Sequence, residues 1–277
     1  MVGQAFEEAL TFSDSNGRYV LPLDDRWEAQ PGNVFGGFVL AAVVRVAGLA
    51  STAARPVSLA CQFLRPVVVG VPLEATVVSM RRGRTNELLE VTLTQAEKTA
   101  AMAQLRAVDD TAGPEFHPLQ RPVVGDPSSY VETKHADRVE GLEPARFLDE
   151  VEWRDPRGPV DGYDISVWWR LGPSVTFEDP WLDAARIAIG MDASGGAVVS
   201  RFEASGHLRK ALPWGFSNLD ALIHFHGSKG TDWLHVQTEV LTAFNGYAST
   251  RTQAWSEDAA LMATAISQLA FFDTSGR

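Results

Sequence analysis

Residues 33–50 read NVFGGFVLAAVVRVAGLA, a run in which apolar side chains cover nearly every face of a helix. Asn33 is a favourable N-cap residue, so the sequence predicts a helix that begins directly after it. A helix that is apolar on almost all sides is normally buried, because it offers no polar face to water. The stretch therefore predicts a long central helix around which the first half of the chain folds.

The segments that follow this helix have the pattern of β-strands. Apolar and polar residues alternate and β-branched residues are frequent, as is typical of half-buried strands. The segments are residues 57–64, 73–81, 87–95 and 100–108. A turn at Gly83 and a charged turn after Gln95 separate neighbouring segments. The first half thus predicts one helix wrapped by an antiparallel sheet.

The same plan occurs a second time in the chain. Residues 180–202 form another largely apolar segment of helical character. Strand-like segments lie on both sides of it, at 165–171, 219–226, 233–241, 247–255 and 260–272. Phe63 and Phe225 are separated by almost the same distance along the sequence as Gly83 and Gly246. A near-constant separation over several elements indicates a duplicated unit.

This duplication predicts an α+β tandem (double) hotdog fold. We expect two long central helices, each wrapped by an antiparallel sheet, with the two sheets joined edge to edge so that neither inner edge is exposed. The N-terminal hotdog is assigned to residues 1–112 and the C-terminal hotdog to residues 145–277. Residues 113–144, at the centre of a stretch rich in proline, glycine, aspartate and serine, are assigned to a linker.

Composition excludes several classes of function. The 277 residues carry a formal net charge of −11 and contain no basic run, which argues against a nucleic-acid partner. Cys61 is the single cysteine, so neither a disulfide nor a cysteine-based metal site is expected, and the HExxH zinc motif is absent from the sequence. The sequence shows neither a signal peptide nor an apolar run long enough to span a bilayer. We therefore expect a cytoplasmic protein without a metal ion or a membrane partner.

Six short motifs occur in the order and near the spacing of a known family. They are NVFGG (33–37), CQFLRP (61–66), SMRRGRT (79–85), NLDALIHFH (218–226), DWLHVQTE (232–239) and ALMATAISQ (260–268). On these motifs the sequence resembles the acyl-CoA thioesterase II (TesB-like) family of double-hotdog thioesterases. The resemblance covers nearly the whole chain and is weakest over residues 110–165.

The resemblance implies an enzyme of fatty acid metabolism that hydrolyses an acyl-CoA to a free acid and CoA without a cofactor. It also implies that a water molecule is the nucleophile, with Asp220 as its base and with Thr242 and Gln268 holding it. Gly36 and Gly37 would let the substrate carbonyl approach backbone N–H donors at the start of the first helix. In a double hotdog these glycines are expected to face Asp220. We further expect the chain to assemble as a homodimer.

Several alternatives stay open at this point. The strict family pattern puts Ser267 where the glutamine is expected, and a one-residue slip in a strand reverses the face that a side chain occupies. A β-bulge would restore Gln268 to the site, and the internal repeat favours Gln268. Asp192, within the second helical segment, is a rival carboxylate. An acyl-CoA-binding protein without catalysis is the alternative function, since Phe38 stands where the family has a second glutamine. A hydratase is disfavoured because its DxNxxH motif is missing.

Overall fold

The computed structural model describes residues 3–130, 132, 145–155, 164–172, 176–204, 214–227 and 230–273. Four α-helices lie in these ranges: α1 (Gly3–Ala9), α2 (Gly36–Ala50), α3 (Pro180–Met191) and α4 (Ser194–Ala204). The strands of the first half are β1 (Ser13–Ser15), β2 (Arg18–Leu21), β3 (Glu28–Gln30), β4 (Asn33–Val34), β5 (Arg55–Phe63), β6 (Leu73–Arg82), β7 (Asn86–Gln95) and β8 (Lys98–Val108). Those of the second half are β9 (Val151–Arg154), β10 (Ile165–Leu171), β11 (Trp214–Phe225), β12 (Leu234–Phe244), β13 (Tyr247–Ser256) and β14 (Leu261–Asp273).

A single twelve-stranded antiparallel sheet contains every strand of this set except β3 and β4. Its order is β1-β2-β6-β7-β8-β5-β11-β14-β13-β12-β10-β9. The two halves of the chain meet where β5 pairs with β11, with Gln62 opposite Asp220 and Ser58 opposite His224. The predicted edge-to-edge junction of the two sheets is therefore confirmed. Because these two strands pair with each other, neither half leaves an unpaired inner edge.

The two faces of the sheet have different surroundings because side chains alternate along each strand. In β7 the apolar residues Leu89, Val91 and Leu93 are buried, and the residues between them are only partly buried. One face therefore packs on the helices, and we call it the inner face. The opposite face, the outer face, carries most of the exposed side chains of the central strands.

Helices α2 and α3 pack against each other inside the curve of the sheet. Gly48 of α2 lies so close to the ring of Trp181 that a Cβ atom at this position would come within 2.7 Å of the ring. The same two helices are also joined by an ion pair, in which Arg45 Nη1 lies 3.0 Å from Asp179 Oδ2. Asp179 also caps α3, because its side chain accepts a hydrogen bond from the backbone N–H of Trp181.

Both predicted helices need correction. The first begins at Gly36 rather than after Asn33, because Asn33 belongs to β4 and Phe35 is the N-cap residue. The second is not one long helix, since it is interrupted between Met191 and Ser194. Asp192 leaves the helical conformation with φ −89° and ψ 44°. Glycine, aspartate and serine are weak helix formers, and they crowd the sequence GMDASGG at this point.

The segment between the halves crosses the outer face of the second half. Residues 111–126 run without helix or strand. The indole N–H of Trp168 donates to the carbonyl oxygen of Gly125 at 3.0 Å, and Arg121 Nη1 donates to that of Ser256 at 3.0 Å. The predicted boundaries at residues 112 and 145 stay predictions, and residues 131 and 133–144 of the predicted linker lie outside the described ranges. Within those ranges, no helix has both the length and the apolar character needed to cross a membrane.

Candidate active site

Asp192 lies at the break between α3 and α4, where its carboxyl group meets elements from both halves of the chain. One carboxyl oxygen accepts a hydrogen bond from the side-chain amide of Asn218 on β11. The carboxyl group also accepts the backbone N–H of Gly37, in the first turn of α2. The first N–H groups of a helix have no acceptor within the helix, and Asp192, from the second half of the chain, supplies an acceptor for one of them. This contact explains how α2 begins without a side-chain cap of its own.

Asn218 reaches this position because of a β-bulge in β11. Asn218 pairs with Leu269 and Asp220 pairs with Gln268, so two steps along β11 correspond to one step along β14. The extra residue, Leu219, puts Asn218 and Asp220 on opposite faces of the sheet. The side chain of Asn218 is fixed from its other end, since its oxygen accepts the hydroxyl of Ser194 at 3.1 Å.

The glycine pair at the start of α2 leaves room for this carboxyl group. A Cβ atom at Gly36 would lie 2.6 Å from Asp192 Oδ2. A Cβ atom at Gly37 would lie 2.5 Å from a ring carbon of Phe35 and 2.8 Å from the carbonyl oxygen of Ile189. Glycine at both positions therefore permits a close approach that any larger residue would block.

A narrow cavity lies beside the carboxyl group of Asp192. Its volume of about 10 Å³ is room for about one water molecule. The wall is almost entirely apolar, and its other residues are Phe35, Phe147, Val151, Trp153, Trp169, Ile189, Gly190 and Ala193. The rings of Phe35 and Phe147 stack at 4.0 Å between centroids and close one side. The carboxylate thus borders a small space whose wall is almost entirely apolar.

The surroundings of Asp192 change its acidity. Burial raises the pKa of Asp192 from 3.8 to about 7, and the hydrogen bond from Gly37 opposes part of this rise. Burial also raises the pKa of the nearby Cys61 thiol to about 12, with further contributions from Asp192 and Asp220. A carboxyl group with a pKa near 7 can both accept and return a proton close to neutral pH. Such a shift, in a cavity, is characteristic of functional sites.

The three residues that the resemblance assigns to catalysis form a separate row on the outer face. Gln268 lies opposite Asp220 on one side and opposite Ser249 on the other, and Ser249 lies opposite Thr242. The backbone N–H of Gln268 donates to Asp220 Oδ1 at 2.9 Å. Thr242 and Gln268 are exposed, and Asp220 is partly buried. The structure therefore brings these residues together, on the side of the sheet away from α2 and α3.

An open pocket of about 430 Å³ lies at one end of this outer row. Thr242 and Gln268 both line it, together with Phe244, Asn245, Tyr247, Ala248 and Ser249. Phe244 is 73% exposed, which shows how open the pocket is to solvent. Asp220 is not among its lining residues.

Two matches to family domains cover most of the chain. Residues 23–108 match the acyl-CoA thioesterase N-terminal domain, and residues 124–271 match the acyl-CoA thioesterase C-terminal domain. The chain belongs to the acyl-CoA thioesterase family. This thioesterase is accordingly a thioester hydrolase, as the six sequence motifs predict.

Solved structures similar to this thioesterase share its whole architecture. A hotdog-fold protein of unknown function from Alicyclobacillus acidocaldarius is 17% identical, with a TM-score of 0.81 and coverage of 97% of this chain and 98% of that one. A tesB protein from Mycobacterium avium subspecies paratuberculosis is 20% identical, with a TM-score of 0.78 and coverage of 98% and 99%. An acyl-CoA thioesterase II from Mycobacterium marinum is also 20% identical, with a TM-score of 0.77 and coverage of 98% and 100%. These likenesses confirm the hotdog fold, and a search of curated proteins gives no match.

The structure decides which side each candidate near the C-terminus faces. Ser267 is only 3% exposed and lies on the inner face, opposite Thr250 and Ala221. Gln268 points outward beside Asp220. Beside these residues the register shift lies in β11, between Asn218 and Asp220, where it turns Asn218 inward and leaves Gln268 on the outer face.

The prediction that the glycine pair faces Asp220 is wrong. Gly36 and Gly37 lie against Asp192 on the inner face, whereas Asp220 lies on the outer face. Asn218 and Ser194 were missed by the sequence analysis. Strand alternation assigns Asn218 to the same face as Asp220, and only the bulge separates them. Among the described residues, no group of three or more His, Cys, Asp or Glu side chains is placed to hold a metal ion.

Proposed function

We propose that this thioesterase hydrolyses an acyl-CoA to a free acid and CoA at Asp192. A single observation carries the proposal. The carboxyl group of Asp192, a half-buried residue whose pKa desolvation raises to about 7, is fixed between the Asn218 amide and the N-terminus of α2, beside a cavity that admits about one water molecule. Thioester hydrolysis needs an oriented water, a base and stabilisation of an oxyanion, and these features supply each of them.

The chemical steps follow from the position of the carboxylate. Asp192 takes a proton from the water, whose oxygen forms a bond to the thioester carbonyl carbon. The tetrahedral intermediate then collapses, the carbon–sulfur bond breaks, and Asp192 returns the proton to the departing CoA sulfur. The products are the free acid and CoA, and Asp192 is again ionised. A pKa near 7 suits a group that must act first as a base and then as an acid.

Helix α2 supports the negative charge that develops during these steps. Its N-terminus carries a partial positive charge from the aligned peptide dipoles. The glycine pair exposes this end of the backbone to a ligand, since neither residue has a Cβ atom. The backbone N–H of Gly37 is already bonded to Asp192, so the thioester oxygen would be stabilised at the N–H of Gly36 and by the partial positive charge of this helix end.

The outer row of Asp220, Thr242 and Gln268 is a competing proposal for the same reaction. Its support is the alignment of the three side chains and the open pocket next to Thr242 and Gln268. Two features favour Asp192 over this row: its burial raises its pKa, and it contacts the start of α2. A base that is shielded from bulk water also keeps the attacking water from exchanging freely with solvent.

The test is release of CoA from a panel of acyl-CoAs, followed with a thiol reagent. The panel includes straight-chain thioesters of two to sixteen carbons, because the cavity in its present shape does not fix the chain length. Turnover of at least one substrate is expected. Tight binding in a calorimeter without any turnover would instead identify an acyl-CoA-binding protein, and absence of both would overturn the proposal.

A further inference from the structure

The outer face of the sheet exposes adjoining apolar side chains where the two halves of the chain meet. Leu222 of β11 is 42% exposed and lies directly opposite Ile266 of β14, which is also 42% exposed. On its other side Leu222 lies opposite the exposed Ala60 of β5. Met102 of β8 is 44% exposed and lies diagonal to Ala60 on the next strand. These four neighbouring residues form an apolar surface, which we call the outer patch.

The sheet around the outer patch carries few charges. Three rows of residues cross β8, β5, β11 and β14 on the outer face, and they contain Ser58, Ala60 and Gln62 of β5. The formal charges in these rows are one cation, Arg106, and one anion, Asp220, which cancel. The whole chain, in contrast, has a formal net charge of −11. Two copies therefore repel each other over most of their surfaces, and least where charges are few and balanced.

We infer that a second copy of this chain packs against the outer patch through its own outer patch, forming a homodimer in which the two sheets face each other. Apolar residues scattered singly on a surface are normal, whereas adjoining ones mark a site of interaction. Two copies that pair through the same surface need that surface to be complementary to itself. Apolar and uncharged polar side chains meet this condition, because they do not repel their own copies. The inference thus names a surface for the expected homodimer.

The outer face is large enough for a stable dimer. The adjacent strands β7, β8, β5, β11, β14 and β13 are each at least nine residues long. At a spacing of about 4.8 Å these strands span roughly 29 Å, and eight residues of a strand extend roughly 26 Å. The resulting area of roughly 750 Å² is close to the ~800 Å² that each partner buries in a standard interface.

The dimer would affect the two candidate sites differently. Asp220 and Gln268 lie in a row next to the outer patch, so the partner would cover them. Asp192 lies on the opposite side of the sheet, and its contacts with Gly37 and Asn218 come from the same chain. Hydrolysis at Asp192 therefore needs no second copy, and this inference can fail or hold independently of the proposed function.

The experiment is sedimentation velocity of the full chain over a wide range of protein concentration. The wild type is expected to sediment at twice the chain mass of 30.1 kDa. Leu222→Glu and Ile266→Glu each place the same charge on both sides of the interface. Each is expected to weaken dimerisation by about 100-fold or more, which is the scale of a like-charge contact in an interface. Val123→Glu is the matched control, because Val123 is a fully exposed apolar residue of the linker, and it should leave the dimer intact.

Two milder variants keep the test available if glutamate disturbs the strands. Leu222→Thr and Ile266→Thr keep a residue that favours strands and remove apolar area, so each should weaken dimerisation by about tenfold. Thermal unfolding checks that every variant is folded. A wild-type chain that stays monomeric at the highest concentration overturns the inference and leaves the outer patch to a different partner. A dimer or larger assembly that all four variants leave intact overturns it as well.

The rate of CoA release per chain separates this inference from the proposed function. A monomeric Leu222→Glu variant should hydrolyse a CoA thioester as fast as the wild-type dimer, since the Asp192 site lies within one chain. A faster rate in the monomer would support the dimer interface and would move the active site to the outer row that the partner covers. Absence of hydrolysis would remove the proposed function and leave the sedimentation result to decide this inference.

Discussion

Asp192 and Asp220 both lie close enough to Cys61 to raise the pKa of its thiol, yet they lie on opposite faces of one sheet. Asp192 borders a cavity lined by aromatic rings and is bonded to the start of α2 and to Asn218. Asp220 is bonded to the backbone of the neighbouring strand and belongs to a row of exposed side chains. A carboxylate's place in a motif therefore does not fix its chemistry. Burial and the charges around it do, and these depend on the face it occupies.

A single inserted residue separates the two environments. Without the bulge at Leu219, Asn218 and Asp220 would share a face, and both would belong either to the helix-covered side or to the outside. With it, the NLD sequence supplies an amide to the inner site and a carboxylate to the outer row. The two sites can therefore be tested by paired substitutions that differ only in the face they affect.

The largest expected effect comes from neutralising the two carboxylates in turn. Asp192→Asn should lower kcat by about 10³-fold, within the range that general acid–base catalysis contributes. Asp220→Asn is the matched control and should stay within a few-fold of the wild type. The measurement is the steady-state rate of CoA release by each variant. The reverse result would move the active site to the outer row.

The pH dependence of the rate should also follow the inner carboxylate. Because Asp192 must be ionised to accept a proton, and its pKa is raised to about 7, the active fraction falls tenfold per pH unit below that value. We expect kcat/KM to be about 100-fold lower at pH 5 than on the plateau above pH 8. Asp220→Asn should retain the same profile. A profile that is flat from pH 5 to pH 8 would contradict the assignment of Asp192 as the base.

Adding one methyl group at Gly36 tests the role of Asp192 from the side of helix α2. Its Cβ atom would meet Asp192 Oδ2 at 2.6 Å and force the carboxyl group out of position. Displacing a catalytic group by about 1 Å can cost on the order of 10²-fold, so we expect Gly36→Ala to lose tens-fold in kcat. Gln268→Ala, on the outer face, should have little effect. Thermal unfolding of both variants checks that the loss is not one of folding.

The smallest expected effect concerns the amide that holds the base. Asn218→Ala removes a hydrogen bond to the ionised form of Asp192, which should lower kcat about tenfold and raise the apparent pKa of the rate profile. Thr242→Val removes a hydroxyl of the outer row and serves as the control. If Thr242→Val lowers the rate and Asn218→Ala does not, the outer row holds the water.

Much of the fold could be predicted because it depends on local periodicity. The strands 73–82 and 86–95 and the turn between them follow from alternation and Gly83, and the duplication follows from repeated spacing. The interruption of the second helix could not be predicted from its apolar content. That content continues beyond the break, and the break itself is stabilised by Gly37 and Asn218, which are distant in sequence.

The family, the tandem plan of two helix-and-sheet units and the set of polar residues available for catalysis can all be read from the sequence alone. These properties are written in short motifs and in the period of apolar residues, which are local features of the chain. The three-dimensional fold alone determines which carboxylate lies at the start of α2 with a raised pKa and which of Ser267 and Gln268 faces inward. These outcomes depend on a one-residue bulge and on contacts between the two halves, and neither leaves a signal in the spacing of residues along the chain.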